Sequence, residues 1–294
     1  MNVGAGKGRK LFLAANNTAL ALMALLCLIP LWHVLAVSFS SSAAASAGRV
    51  FLWPVDFTWA AYQYVLKQEE FLASIVVTLK RVLLGTSISM LLTVLTAYPL
   101  SREKTMFRWR TAYVWFFVFT MLFNGGLIPN YVVVKELGLL DRLLALVLPS
   151  AVQVFHIILM LNFLRNLPKE LYEAAHIDGA GHWATLWRVA LPVSTPSIAT
   201  LTLFTIVFHW NSWFDGIIYM NNPAHYPLSS YLQTVIIAKD LSAMNTSSIL
   251  EYANLSDRTV KSAQIFIGLV PIVLVYPFLQ RYFIQGIVMG SVKG

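Results

Sequence analysis

Glu173-Ala174-Ala175-His176-Ile177-Asp178-Gly179, followed after nine residues by Val189-Ala190-Leu191-Pro192, lies in a charged stretch between two strongly apolar segments. Pro168, with Lys169 and Glu170 behind it, predicts the start of a short helix running through Leu171, Tyr172, Ala174 and Ala175. Gly179 and Gly181 break that helix, and Trp183 to Val189 suits a second one, stopped by Pro192. Such a helix-glycine-helix element, standing clear of a bilayer, is a lever that another protein can grip. Ala174 and Ala175 offer a small-residue face for close approach, and Glu173 a charge for an Arg or Lys across the contact.

The flanks of this element place it in a membrane protein. The 294 residues are 58% hydrophobic and 12% charged, with a mean hydropathy of +0.68, too apolar for an ordinary water-soluble fold. The net charge of +8 raises nucleic acid as a partner. The basic residues, however, form short clusters beside apolar runs and no continuous stripe, which fits lipid headgroups and topology and not nucleic acid. Cys27 lies in an apolar run and reads as a packing residue. The sequence carries no internal repeat, no metal-ligand spacing and no glycine-rich phosphate loop, so any ATP hydrolysis belongs to another chain.

Six apolar segments are long enough to cross roughly 30 Å of hydrocarbon: Asn17 to Val37, Val82 to Ser101, Thr111 to Val133, Leu143 to Leu164, Ser197 to Ile218 and Ala263 to Phe283. Lys80-Arg81 is expected at the edge of the second, with Phe71 to Leu79 as an amphipathic extension above the bilayer, because cations inside the membrane are costly. Lys7, Arg9 and Lys10 before an apolar run ending near Ser40-Ser41-Ser42-Ala43-Ala44-Ala45 outline a cleavable signal. That run exceeds the roughly 7 to 15 residues of a signal core and further spans follow, so an uncleaved first helix is expected. With the N-terminus cytoplasmic, Arg102, Lys104, Arg108 and Arg110 also lie inside, as do Arg165, Lys169 and Arg188, and both termini are cytoplasmic. Ser38 to Glu70 and Asn221 to Lys261 become outer loops, whose Trp, Tyr and Pro content predicts structured segments at the interface. The expected fold is an all-α, six-helix integral membrane protein. It is one transmembrane domain over residues 1–294, with the charged loop at about 165–192 and an outer loop at about 221–261.

The spaced pattern, Glu-Ala-Ala, three residues, Gly, nine residues, then aliphatic-x-Leu-Pro, resembles the EAA loop of permease subunits of binding-protein-dependent ABC importers. The resemblance spans essentially the whole chain and implies the type I importer permease fold. It implies coupling to the ATPase through Glu173, Ala174, Ala175, Asp178, Gly179, Leu191 and Pro192, the loop docking in a cleft of the ATPase subunit where the glutamate meets a basic residue. Gly290-Ser291-Val292-Lys293-Gly294 resembles the tail of carbohydrate-type permeases that reaches between the ATPases, which adds Lys293 and Gly294. The implied partners are a second homologous permease in a heterodimer, two ATPase subunits, an extracellular solute-binding protein and membrane lipids. No cofactor is expected on this chain, ATP and Mg residing on the ATPase, and no metal.

Phe208-His209-Trp210-Asn211-Ser212-Trp213-Phe214-Asp215 is unusually polar and aromatic for a membrane segment. It is similar to the Trp-Asn-x-Phe/Trp stretch of sugar permeases. His209, Trp210, Asn211, Trp213 and Asp215 are candidate substrate-path residues: amides and imidazoles bond hydroxyls, and indoles cover the C–H face of a sugar ring. An interfacial aromatic belt and interhelical bonding are the alternatives. Asn124 and Tyr131, with Gly125, Gly126 and Pro129, suggest a broken-helix gate, while Gln153 and His156 read as interhelical hydrogen-bonders. The general tone of the sequence resembles permeases for oligosaccharides or uronic-acid oligomers. Competing readings are an ABC permease for peptide, amino acid or phosphate, a proton-coupled secondary transporter, which needs a membrane-embedded acid, and an intramembrane enzyme, which needs clustered catalytic side chains.

Overall fold

The computed structural model describes residues 7–103, 105–238 and 256–291, with the backbone alone at 7, 235–238, 276 and 278–291. Lys104, Lys293 and Gly294 lie outside the described residues, as does 239–255 of the expected outer loop. Every regular element among the described residues is helical. Three helices are long and apolar enough to cross a membrane alone: Gly8–Ser38, Glu69–Ser101 and Asp257–Val275. Three bent helix pairs reach that length and apolarity together: Arg110–Leu122 with Leu127–Glu136 at 111°, Leu143–Ser150 with Val154–Arg165 at 50°, and His182–Val193 with Thr195–Asn211 at 81°, which makes six spans if each pair is one. All six expected segments thus have helical counterparts, half of them interrupted.

The chain divides into two compact units. The first, residues 1–69 and 236–270, contains α1 (Lys7–Ser38), α2 (Ser42–Ser46) and α3 (Ala60–Lys67). The segment between α1 and α3 is tightly built, as its aromatic content suggested. The Phe39 ring packs on Phe57, Trp59 and Tyr62 at centroid distances of 5.3, 4.8 and 4.7 Å. Ser40 Oγ donates to the Ala36 carbonyl and accepts from the Val55 N–H, at 2.7 and 3.1 Å. Cys27 is exposed on α1 and is not the packing residue expected. Its face of α1 is a row of outward Leu, Met and Phe side chains, the surface a lone helix turns to lipid or to a partner subunit.

The second unit, residues 70–235 and 271–294, is led by α4 (Glu69–Ser101). Phe71 to Leu79 extends this one helix without a break, as expected of an extension of the second span. At roughly 1.5 Å per residue its 33 residues measure about 50 Å. One stripe, Phe71, Ser74, Thr78, Arg81, Gly85, Ser89, Thr93 and Ala97, is buried along its whole length, the three-and-four spacing of a single helix face. Arg81 is therefore not a headgroup-facing cation; it is fully buried.

The chain continues through α5 (Arg110–Leu122), α6 (Leu127–Glu136), α7 (Leu143–Val147), α8 (Val154–Arg165), α9 (Lys169–Ile177), α10 (His182–Thr185), α11 (Leu191–Val193), α12 (Thr195–Asn211), α13 (Phe214–Tyr219) and α14 (Leu228–Ala238). The last helix, α15 (Asp257–Ser291), begins in the first unit. The expected single helix over Thr111 to Val133 breaks at Asn124-Gly125-Gly126. The Asn124 side-chain oxygen accepts the Gly126 N–H at 2.9 Å, and Gly126 takes a φ of 90° that a side chain would disfavour. Pro149, which lacks an N–H, sits in the short 3-10 turn that separates α7 from α8.

Candidate functional site

The Glu173 loop is built as a braced hairpin of short helices. Glu170 lies in the first turn of α9, the favourable end for an acid. At the other end Gly179 N–H bonds the His176 carbonyl at 3.0 Å and Ala180 N–H the Ala175 carbonyl at 2.9 Å, with Gly179 at φ +75°. These two bonds around a left-handed residue form a Schellman motif, which needs glycine at that point. Beyond α10 the chain widens into a π turn over Leu186–Ala190 before α11. Pro192 does not stop the helix where expected; helical backbone runs on to Val193, one residue beyond it. The direction then changes by 81° into α12.

Leu186 and Ala190 are buried in a core with Val94, Ala97, Tyr98, Leu100, Ile157, Met160, Leu161, Leu164 and Leu201, and Leu191 and Tyr172 pack against it. The Arg102 guanidinium lies 4.2 Å from the Tyr98 ring centroid and 3.7 Å from that of Tyr172, cation–π contacts that tie the loop to the end of α4. Lys169 pairs with Glu103. The hydrogen bond and charge of Lys169 hold the Glu103 carboxyl below its ordinary range, and Glu103 in turn raises the Lys169 ammonium. Ala175 is buried within this framework, so the small-residue face is divided, with only Ala174, beside Glu173, facing outward. Asp178 and Gly179 are exposed at the turn. Sequence reasoning missed the apolar side chains that crown the loop. Ile177, Trp183 and Trp187 are 86%, 66% and 53% exposed. The signal was available, as Trp183 and Trp187 are four apart on a helix bounded by Gly and Pro.

A second site forms where α12 ends. The helix breaks at Ser212-Trp213, freeing backbone carbonyls that an apolar surrounding cannot satisfy. Three carbonyls at the break find protein donors. Ser229 Oγ donates to the Trp210 carbonyl and Ser230 Oγ to that of Trp213, both at 2.6 Å, and Arg81 Nη1 donates to that of Ser212 at 3.0 Å. Arg81 also clasps both carboxylate oxygens of Asp215, Nη1 reaching Oδ1 at 3.1 Å and Nη2 pairing with Oδ2. Gly216 must be glycine: a Cβ there would lie 2.1 Å from Ser230 Oγ.

Beside this break opens a cavity of about 570 Å³, whose lining includes Pro149, Asn211, Trp213, Phe214, Asp215 and Tyr219. Of the expected path residues, Asn211, Trp213 and Asp215 reach it. His209 and Trp210 do not. Both are buried in protein, and the His209 ring lies so near Gly85 that a Cβ there would come within 2.5 Å of it. Tyr131 backs the cavity wall, its ring 6.4 Å from that of Tyr219 and nearly parallel, while Asn124 caps the other break. His156 makes the expected interhelical contact, Nδ1 to Thr205 Oγ1 at 3.3 Å. Gln153 does not: its Nε2 is buried without a partner among the described residues.

Residues 71–289 match the family described as the inner membrane component of binding-protein-dependent transport systems. The chain belongs to that family. It is a multi-pass membrane transport component, and its relatives include permeases of carbohydrate uptake systems. Protein LplC of Bacillus subtilis is 39% identical over 288 residues, 98% of this chain and 97% of the relative. The polygalacturonan/rhamnogalacturonan transport system permease protein YtcP, from the same organism, is 38% identical over 275 residues, covering 94% and 96%. Among solved structures, a chain of a bacterial ABC transporter involved in import of the acidic polysaccharide alginate superposes with a TM-score of 0.86 at 34% identity. The match covers 95% of this chain and 98% of that one. The all-α ABC permease fold expected from the EAA pattern is thus the fold observed.

Proposed function

We propose that this chain is a non-catalytic permease subunit that carries oligosaccharide, delivered by an extracellular binding protein, across the membrane, driven by ATPase subunits that dock on the Glu173 loop. The observation that carries this reading is the loop itself: two short helices joined by a Schellman turn, anchored inward by Leu186, Ala190 and Tyr172, with Glu173, Ile177, Trp183 and Trp187 outward. Aromatic side chains around a charged group make the kind of patch that dominates protein interfaces. Glu173, Ala174, Asp178 and Gly179 form the contact face of the docking site, Ala175, Leu191 and Pro192 its support, and Lys293 and Gly294 a second contact. ATP and Mg belong to the ATPases, and a homologous permease completes the translocation path.

The cargo is an oligosaccharide of the acidic kind carried by the polygalacturonan relative and the alginate importer. Trp213 and Tyr219 supply flat apolar surface and Asn211 a hydrogen-bonding amide. Among the described residues the lining contains no basic side chain, so this subunit reads ring faces and hydroxyls and leaves substrate carboxylates to the partner permease. The basic clusters orient the chain with both termini and the Glu173 loop cytoplasmic. The test is ATP-dependent uptake of oligogalacturonides by the four-subunit importer in proteoliposomes supplied with the binding protein. Uptake is expected to stop in Glu173→Lys with the subunits still inserted. Uptake unchanged in that variant would overturn the coupling assignment, and no uptake of any oligosaccharide by the wild type would overturn the cargo.

A further inference from the structure

At the end of α4 nearest the Glu173 loop, the second unit holds a pocket of about 530 Å³ whose lining brings together Arg102, Arg110, Arg165 and Lys169, with Glu103 and Glu173. Four cations face two carboxylates, and Glu103 is already engaged by Lys169. Arg110 Nη1 donates to the Arg102 carbonyl at 2.6 Å and Arg165 Nη2 to the Leu100 carbonyl at 3.3 Å, so both guanidiniums are steered by the carbonyl end of α4. Arg102 Nε and Nη2 and Arg110 Nε are shielded from solvent without any acceptor among the described residues. Each guanidinium carries five donors and cannot shed its charge, so leaving such donors unmet is costly. A neighbouring groove of about 320 Å³ shares Arg102 and Met106 with the pocket and is otherwise mostly apolar, walled by Leu95, Pro99, Phe107 and Trp183.

We propose that this pair of cavities is a binding site for one anionic phospholipid, its phosphate in the Arg102/Arg110/Arg165 pocket and an acyl chain in the Leu95/Phe107/Trp183 groove. A phosphate supplies several acceptor oxygens to several guanidinium donors at once. The apolar groove beside it separates a lipid from a free phosphate. The excess of cations separates a net-anionic headgroup from a zwitterionic one, whose ammonium or choline would be repelled. Wall residues of the site, Tyr172, Glu173, Trp183 and Leu186, belong to the proposed coupling loop. Bound lipid therefore braces the lever, a role independent of which sugar is carried.

The test is native mass spectrometry of the assembled importer, delipidated in detergent and titrated with phosphatidylglycerol or phosphatidylcholine in the absence of sugar. Preferential retention of phosphatidylglycerol is expected, weakened about fivefold in Arg110→Gln, the loss of one cation from an anionic-lipid site. Arg110→Lys should keep most of it, and Arg108→Gln, an exposed cation outside the pocket, should change nothing. Equal retention of the two lipids, or equal weakening by Arg108→Gln, overturns the proposal. Complete displacement by millimolar inorganic phosphate also overturns it, in favour of a free-anion site. Should Arg110→Gln fail to assemble, a photoactivatable phosphatidylglycerol on the wild type decides. Crosslinks within 98–107 and 182–187 support the site, and their absence there refutes it.

Discussion

Arg81 and Asp215 are 134 residues apart in sequence, and their pairing is what the sequence could least announce. A span boundary at Lys80-Arg81 follows from the rule that a lone buried cation is prohibitive; that rule holds, but the partner lies on another helix. The partners are not equivalent. Arg81 is fully enclosed, whereas a quarter of the Asp215 side chain stays accessible at the cavity wall. Removing the acid strands a cation that cannot neutralise itself, so Asp215→Ala should destabilise the importer by about 3 to 5 kcal/mol. Arg81→Met should cost less, because the Asp215 carboxylate left behind is partly open to the cavity, where water can solvate it. Arg81→Met with Asp215→Leu should recover part of the loss, as a double-mutant cycle of thermal unfolding in detergent will show. Equal costs for the two single variants would place both charges in the same environment. Gly85 poses a steric case: Gly85→Val would drive a methyl-bearing carbon into the His209 ring, so assembled protein should fall sharply and return in Gly85→Val/His209→Ala.

The loop around Glu173 was legible as an element because glycine and proline punctuate it and its spacing is a fixed pattern. The bends in three spans were only half legible, since hydropathy averages over a window and does not register a turn inside an apolar run. Asn124-Gly125-Gly126 gave one away. The break at Ser212-Trp213 did not show, because its donors, Ser229, Ser230 and Arg81, come from other parts of the chain. Gly179→Val tests the coupling element: the left-handed turn resists a branched side chain, at about 1 to 2 kcal/mol. ATP-driven uptake should fall while subunit recovery in detergent stays near wild type. A variant that couples normally would show that the turn geometry is dispensable. On another segment, Asp141 Oδ1 accepts from His225 Nδ1 and from the Asn221 and Asn222 N–H groups at 3.0, 3.1 and 3.2 Å. The His225 hydrogen bond chiefly holds this carboxyl below the ordinary range. A carboxyl lowered on folding stabilises above its unfolded value, near about 4, and loses that contribution as pH falls through its lower folded value. Hydrogen exchange in 137–142, corrected for intrinsic rates, should therefore stay slow from pH 7 down to about 4. In His225→Ala the loosening should begin at higher pH; an identical profile would remove His225 from the latch.

For the whole molecule, the proposed topology, argued from the alternation of basic clusters with six helical segments, has His182 inside and Ala224 outside. Both are exposed in the structure. On a Cys27→Ser background, His182→Cys should resist and Ala224→Cys should react with an impermeant thiol reagent in intact cells. The reverse result would invert the topology. The long reach between Arg81 and Asp215 also has a consequence in time. At roughly 5 to 20 residues per second, a ribosome needs about 7 to 27 seconds after making Arg81 to deliver its counter-ion. Throughout that interval the second span carries a guanidinium whose carboxylate partner has not yet been made, and a nascent chain truncated before Asp215 lacks the ion pair altogether.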